Sequence, residues 1–257
     1  MSRVARQLHL MGGVGAAKPS EGVTVPGAMD SDLADEFYNE RAHPTVANFR
    51  SLSLTLLHRW FEDCASSGPV VEVGAGRSVF VDIGASRSRN KLCLDLSPRM
   101  LEHSTIGRQA NLWCAIANAN ALPVRSRTVA LVIASLGAPF NWRAFWLEAS
   151  RVLTSNGEIW YSTPSYEWAS SVRPDQAGHG ESETATFQVK GETQDVPSIT
   201  YPESQQISLI RSAGLEIVEI ARAPVASLPV TNRAPSIILL GETTPVVTAF
   251  RCKISTA

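Results

Sequence analysis

The feature that most constrains this chain is a short apolar run that ends in glycines. Val70, Val71 and Val73 flank Glu72, and Gly74-Ala75-Gly76 follows at once. β-branched residues favour a strand buried on both faces, and glycines let the backbone turn sharply out of it. Further apolar runs stand at 91–96 (KLCLDL), 112–117, 129–136 (VALVIASL) and 158–162 (EIWYS). Helical signals lie between them. Residues 78–85 follow the first turn, and Ser97-Pro98 places a cap before a proline at the first helical position. Trp142, Phe145, Trp146, Ala149, Val152 and Leu153 share one helix face, which Gly157 is expected to break.

Strands alternating with helices predict an α/β fold: a Rossmann-like, doubly wound sheet with helices on both faces. Adding 215–220 and 236–241 (SIILLG) makes it seven-stranded and mostly parallel. Upstream, Val46, Phe49, Leu52, Leu56 and Trp60 recur at helical spacing until the breakers Ser66-Ser67-Gly68-Pro69. Residues 1–30 have no period and read as a flexible tail before one domain over 31–257. Residues 165–200 are polar and aperiodic, which suits a lid or an insertion. A helix over 203–213 is expected to close on Gly214.

With 257 residues the chain can bury a core without staples. A net charge of −1 argues against a nucleic-acid clamp. No apolar run approaches the roughly twenty residues of a membrane span. The cysteines, Cys64, Cys93, Cys114 and Cys252, have neither zinc-ligand nor disulfide-framework spacing, so no metal site is expected. Cys93 and Cys114 read as small buried apolar residues. A reducing, cytoplasmic setting follows.

The chemistry concentrates where the first two strands end. Glycines at Gly74 and Gly76 let a ligand approach the backbone, and the next helix begins with free N–H groups. Asp95 ends the second strand, nineteen positions after Gly76, where an acid can accept both hydroxyls of a ribose. A dinucleotide fingerprint would need a third glycine where Val79 stands. Glu72 suits a cationic ligand portion, such as an amino-acid ammonium, better than a pyrophosphate. Both acids also have a plainer reading as helix caps.

This combination resembles the class I methyltransferases that use S-adenosylmethionine. VEVGAG is similar to their first motif and LDLSPRML (94–101) to their second, with Asp95 as the ribose-binding acid and Leu96 beside it. ANANALPV (117–124) is similar to the segment that contacts adenine, which places Asn118 and Ala119 there; the family usually has Asp where Asn118 stands. VIASLGAPF (132–140) resembles the fourth-strand end that lines the site, through Ser135. RVLTSNGEIWYSTP resembles the R-V-L-x-P-G-G segment. Ser78 and Ala130 replace a frequent glycine and a frequent aspartate. The resemblance implies S-adenosylmethionine bound by Glu72, Gly74, Ala75, Gly76, Asp95, Leu96, Asn118, Ala119 and Ser135, with Tyr38 covering its methionine end. It implies methyl transfer to an oxygen or nitrogen of a small molecule.

His179, between Gly178 and Gly180, is the candidate general base, since glycines free the loop and imidazole titrates near neutrality. Trp142 is a candidate wall for a planar acceptor. A homodimer is compatible with this reading. Two rivals remain: a methyltransferase-like binding protein without turnover, and an RNA methyltransferase, which the charge balance and the absence of an N/D-P-P-Y/F element disfavour.

Overall fold

The computed structural model describes residues 29, 31–62, 68–83, 90–105, 111–180 and 183–255. The tail expected at 1–30 lies outside these residues except for Met29, as do Cys64 and Ser66-Ser67. The chain runs through α1 (Ser31–Glu36), α2 (Pro44–Glu62), β1 (Val70–Val73), α3 (Val79–Ile83), β2 (Lys91–Asp95), α4 (Pro98–Thr105), β3 (Leu112–Ile116) and β4 (Val129–Ala134). It continues through α5 (Arg143–Val152), β5 (Leu153–Pro164), α6 (Tyr166–Val172), β6 (Thr184–Val189) and β7 (Glu192–Pro197). It ends with α7 (Glu203–Ser212), β8 (Leu215–Pro224), α8 (Pro235–Ile238) and β9 (Pro245–Ile254).

Seven strands form one sheet in the order β3-β2-β1-β4-β5-β9-β8. The first five are parallel, and β9 is antiparallel to both β5 and β8. The Rossmann-like α/β expectation therefore holds. Successive residues of a strand face opposite sides, and both sides are buried. Val70, Leu131, Ile133 and Trp160 pack with α2 through Leu52, Leu56 and Trp60. Val71, Val73, Val132, Ile159 and Tyr161 pack on the other side with Phe145 and Trp146 of α5.

Helix boundaries follow local chemistry. Ser97 Oγ accepts from Met100 N at 3.3 Å and caps α4, as Ser97-Pro98 predicts. Gly214, at φ +75°, closes the turn after α7.

Three expectations need correction. Residues 236–241 are not a strand: Pro235 opens the short helix α8, and Ile238 and Leu239 stand exposed. The seventh strand of the sheet is β9, whose Val246, Val247, Ala249, Phe250 and Cys252 are buried. Gly157 does not end a helix. Leu153 turns extended directly after α5, and Gly157 sits inside β5, where the β4–β5 register shifts. Residues 165–200 are not structureless: α6 is followed by the hairpin β6–β7, which forms a separate two-stranded sheet. Its tip is Lys190 (φ +51°) and Gly191 (φ +86°), the two left-handed residues of a tight hairpin turn.

Candidate active site

A cavity of about 370 Å³ opens where β1, β2, β3 and β4 end, a size suited to a small-molecule site. Its floor includes Gly74 and Ala75 after β1, Asp95 and Leu96 at the end of β2, and Ala117 to Asn120 after β3. Ser135 and Leu136 contribute from the end of β4.

The turn at Gly74 and Gly76 needs glycine for two reasons. Both residues adopt positive φ, +62° and +43°. A Cβ at Gly74 would also collide with the Phe140 ring, and one at Gly76 with the Tyr38 hydroxyl. Glu72 holds this turn from below. Its carboxylate accepts from Ser78 Oγ and from Val79 N at 2.9 Å, capping α3. Burial pushes its pKa up to about 7, against the opposing pull of those donors. Glu72 does not line the cavity. Ser78 N donates to Ser104 Oγ at 2.8 Å, and Ser104 in turn donates to the Gly76 carbonyl. Ser78, in place of a frequent glycine, is thus a working part of the turn. Ala130, in place of a frequent aspartate, lies against Gly68, where even a Cβ would collide.

Asp95 ties the turn to the second strand. It accepts from Gly76 N at 3.0 Å and from Ser97 N at 2.9 Å. Burial raises its pKa, opposed by the backbone donors of Ser97, Gly76 and Leu96. Each oxygen keeps a lone pair for a ligand hydroxyl. Asn118 Oδ1 accepts from Asn120 N at 2.8 Å, which folds the 118–120 segment into an Asx turn at the cavity edge. Ser135 Oγ bonds Ser53 Oγ at 2.9 Å, and Ser53 bonds Ser162 at 2.6 Å. This serine chain fixes the end of β4, where Leu136 is held at φ +56°. That conformation costs a branched residue about 1–3 kcal/mol and marks the segment as over-determined by its surroundings.

The roof comes from distant segments: Met29, Phe37, Tyr38, Val46 and Arg50 from the N-terminal side, and Val196 and Pro197 from the end of β7. Tyr38 Oη accepts from Arg77 N at 2.7 Å, and burial pushes its phenol up to about 12. Arg50 lies 5.1 Å from the Tyr38 ring centroid. It shares Asp82 with Arg77, whose own contact is 2.7 Å.

Of the residues expected from sequence, Tyr38, Gly74, Ala75, Asp95, Leu96, Asn118, Ala119 and Ser135 line the cavity; Gly76 lies behind, bonded to Asp95. Trp142 also lines it, whereas Trp146 is core. The structure does not bring His179 there. Its side chain is exposed, and its N–H is bonded to Gln176 O at 3.0 Å. Gly178 and Gly180 take left-handed φ to make this turn rather than to swing the imidazole. Sequence reasoning missed Phe37, Arg50, Arg77, Phe140, Val196 and Pro197. Arg77 directly follows the glycine turn and Phe140 ends the quoted VIASLGAPF segment, so those two carried a positional signal.

A parallel sheet with a glycine turn after β1, an acid ending β2 and a cavity over both defines a class I nucleoside-cofactor fold. Residues 71–161, which carry β1 to β4, the turn and most of β5, match a family model described as a methyltransferase domain. Over these residues the chain matches a methyltransferase domain, the enzyme class whose methyl donor is S-adenosylmethionine. No curated protein matches the chain.

Solved structures share the fold at low identity. One is an S-adenosylmethionine-dependent methyltransferase from Clostridium acetobutylicum, with TM-score 0.60 and 10% identity, covering 86% of this chain and 98% of that one. Another is the CcbJ methyltransferase from Streptomyces caelestis, with TM-score 0.57 and 14% identity, covering 90% and 98%. A third belongs to a Haloferax volcanii complex containing the Trm112 methyltransferase activator, with TM-score 0.60 and 14% identity, covering 88% and 98%. Among the described residues, no helix is long and apolar enough to cross a membrane, and no His, Cys, Asp or Glu cluster could hold a metal.

Proposed function

We propose that this protein transfers a methyl group from S-adenosylmethionine to an oxygen or nitrogen of a small molecule. The observation that carries this reading is a single cavity lined both by the glycine turn with Asp95 and by an aromatic, apolar roof. Asp95 would accept the ribose hydroxyls. Asn118, Ala119 and Leu96 would border the adenine. Gly74, Ala75 and Gly76, held by Glu72, would carry the methionine portion under Tyr38, and Ser135 would border the reacting centre.

When bound, S-adenosylmethionine supplies a methyl carbon made electrophilic by its sulfonium. The chain's part is to align the acceptor, hold it still and keep water away. Phe37, Phe140, Trp142, Val196 and Pro197 supply the walls for that. An enclosed roof suits a small acceptor better than RNA, and the two arginines at the cavity share one aspartate. The insertion over 165–200 would act as the acceptor-side cover. The thiols of Cys93, Cys114 and Cys252 are free, in keeping with a cytoplasmic protein.

Calorimetry with S-adenosylmethionine and its demethylated product tests the first half of the proposal. Binding is expected, and none at millimolar ligand in folded protein would overturn it. Labelled methyl transfer tests the second half, with label expected in small acceptors. Label entering RNA instead would overturn the small-molecule reading.

A further inference from the structure

Two thiols meet beneath the glycine turn, and the proposed methyl transfer uses neither. Cys93 on β2 and Cys114 on β3 are register partners on adjacent parallel strands. Neighbouring strands run about 4.8 Å apart, inside the roughly 4.4–6.8 Å Cα separation that a disulfide spans. Register partners project to the same face, and these two side chains share one small cluster with Ala75 and Leu101. Cys93 is fully buried, while Cys114 is half-buried on the edge strand of the sheet, where a small oxidant can reach it.

A third group completes the arrangement. Cys93 Sγ donates to Glu72 Oε2 at 3.8 Å, so the buried thiol already points its proton at a carboxylate. The Cys93 contact holds Cys114 below the ordinary thiol range, whereas that contact and burial push Cys93 above it. The half-buried sulfur on the edge strand is the one an oxidant meets first, and the buried one lies behind it beside a proton acceptor. Cys252 shows the contrast: its register partners are Ile159 and Ile217, so no second thiol stands opposite it.

We propose that Cys93 and Cys114 are a hydroperoxide-responsive dithiol that closes a disulfide under the cofactor turn. Cys114 thiolate attacks one peroxide oxygen. The O–O bond breaks, an S–O bond forms, and the hydroxide released takes up the proton that Cys114 gave to solvent. Cys93 then attacks the sulfenic sulfur as its proton passes to Glu72. The S–S bond forms, the S–O bond breaks, and the departing hydroxide collects that proton from Glu72. Two thiols lose two electrons, and one hydrogen peroxide becomes two waters. Ala75, which lines the cavity, packs against Cys93, so the bridge forms directly beneath the proposed cofactor platform.

The test treats the full chain with hydrogen peroxide, quenches it in acid and alkylates it under denaturing conditions before peptide mapping by mass spectrometry. A Cys93–Cys114 linked peptide is expected, two mass units below the summed thiol peptides by loss of two hydrogens. It should revert with dithiothreitol and disappear in Cys114→Ser. Dimedone should trap a sulfenic acid on Cys114 in Cys93→Ser. Full alkylation of Cys93 after peroxide, oxidation of Cys114 to sulfinic acid without linkage, or a link to Cys64 or Cys252 instead would overturn the proposal. The mapping of the unaltered chain decides the matter even where a variant fails to fold, and its outcome does not depend on methyl transfer.

Discussion

The glycine turn is held by groups six and seven positions from Glu72, at Ser78 and Val79, whereas the hairpin β6–β7 is held by buried groups at its root and by side chains of a distant segment farther out. There Arg173 reaches across both strand roots, donating to Thr184 O at 2.7 Å and to Ser198 O at 2.6 Å. Glu183, fully buried, accepts from Gly178 N, Gly180 N, and both Thr200 N and Thr200 Oγ. Farther out, the hairpin touches the N-terminal segment through Phe187, packed at 5.9 Å from Phe37 and 5.5 Å from His43, and through Lys190, bonded to Asp32. The turn is a platform clamped within its own segment, and the hairpin is buried at its root and tethered at its tip by an exposed ion pair. Such a division lets a site keep its cofactor geometry while its acceptor wall adapts.

Glu183→Ala should have the largest effect on this contrast. It strips a buried charge from Arg173, 3.6 Å away, and leaves several backbone donors unpaired. A loss of about 3–5 kcal/mol is expected in urea denaturation, together with early proteolysis within 165–200. Cofactor affinity should hold in whatever protein remains folded. A loss under about 1 kcal/mol would mean that the root is anchored elsewhere.

Glu72→Gln addresses the platform through pH. The Glu72 carboxyl titrates at about 7 when folded and at its ordinary 4.5 when unfolded. Between those values the unfolded chain releases this proton while the folded chain keeps it. Stability therefore falls by about 1.4 kcal/mol per pH unit as pH rises, then levels off above the folded value. The parent should lose about 3 kcal/mol more than Glu72→Gln between pH 4 and 8. Parallel stability curves would show that Glu72 titrates normally and that the Ser78 and Val79 donors offset its burial in full.

The same contrast governs what the sequence revealed. Strands β1, β2 and β4 are buried on both faces, so their valines and leucines run together and announce them; β3, at the sheet edge, is half-buried but still apolar. The turn, Asp95 and the 118–119 segment then follow by position along the chain. The hairpin needs no core of its own. Its strands read TATFQV and ETQDVP, and its turn places lysine where asparagine would signal a hairpin. β9 escaped because Arg251 and Lys253 interrupt its apolar run at positions paired with Glu158 and Glu216. SIILLG imitates a strand, but the proline before it starts a helix. Arg50, Phe37 and Val196 enter the site only through long-range folding, which no local pattern encodes.

Asp95→Ala separates binding from scaffolding. Loss of a charge-assisted pair of hydrogen bonds to ribose should weaken S-adenosylmethionine by about 1–3 kcal/mol in calorimetry. The carboxylate also bridges Gly76 N and Ser97 N, so a fall in melting temperature should accompany it. Asp95→Asn sharpens the result, since its carbonyl can keep one backbone bond while the charge is gone. Equal affinity in both variants and the parent would leave Asp95 as a cap for α4 alone.

His179→Ala should do least. The imidazole is exposed at the hairpin root and contributes nothing to the cavity lining. Its flanking glycines are fixed: Gly178 N and Gly180 N both donate to the buried Glu183 carboxylate, at 3.0 and 3.2 Å. A loop pinned on both sides of the histidine cannot swing it to an acceptor without breaking those bonds, each to a charged group and costing about 1.5–3 kcal/mol. Turnover on the true acceptor should therefore stay within about twofold of the parent, well short of the 10²–10⁴ expected for removing a general base. A hundredfold fall at unchanged cofactor affinity would reverse the comparison, because the root would then move during catalysis. Combining His179→Ala with Glu183→Ala would settle that case. If the root must open to deliver the imidazole, releasing the glycines should raise the parent's rate and leave the histidine variant unmoved.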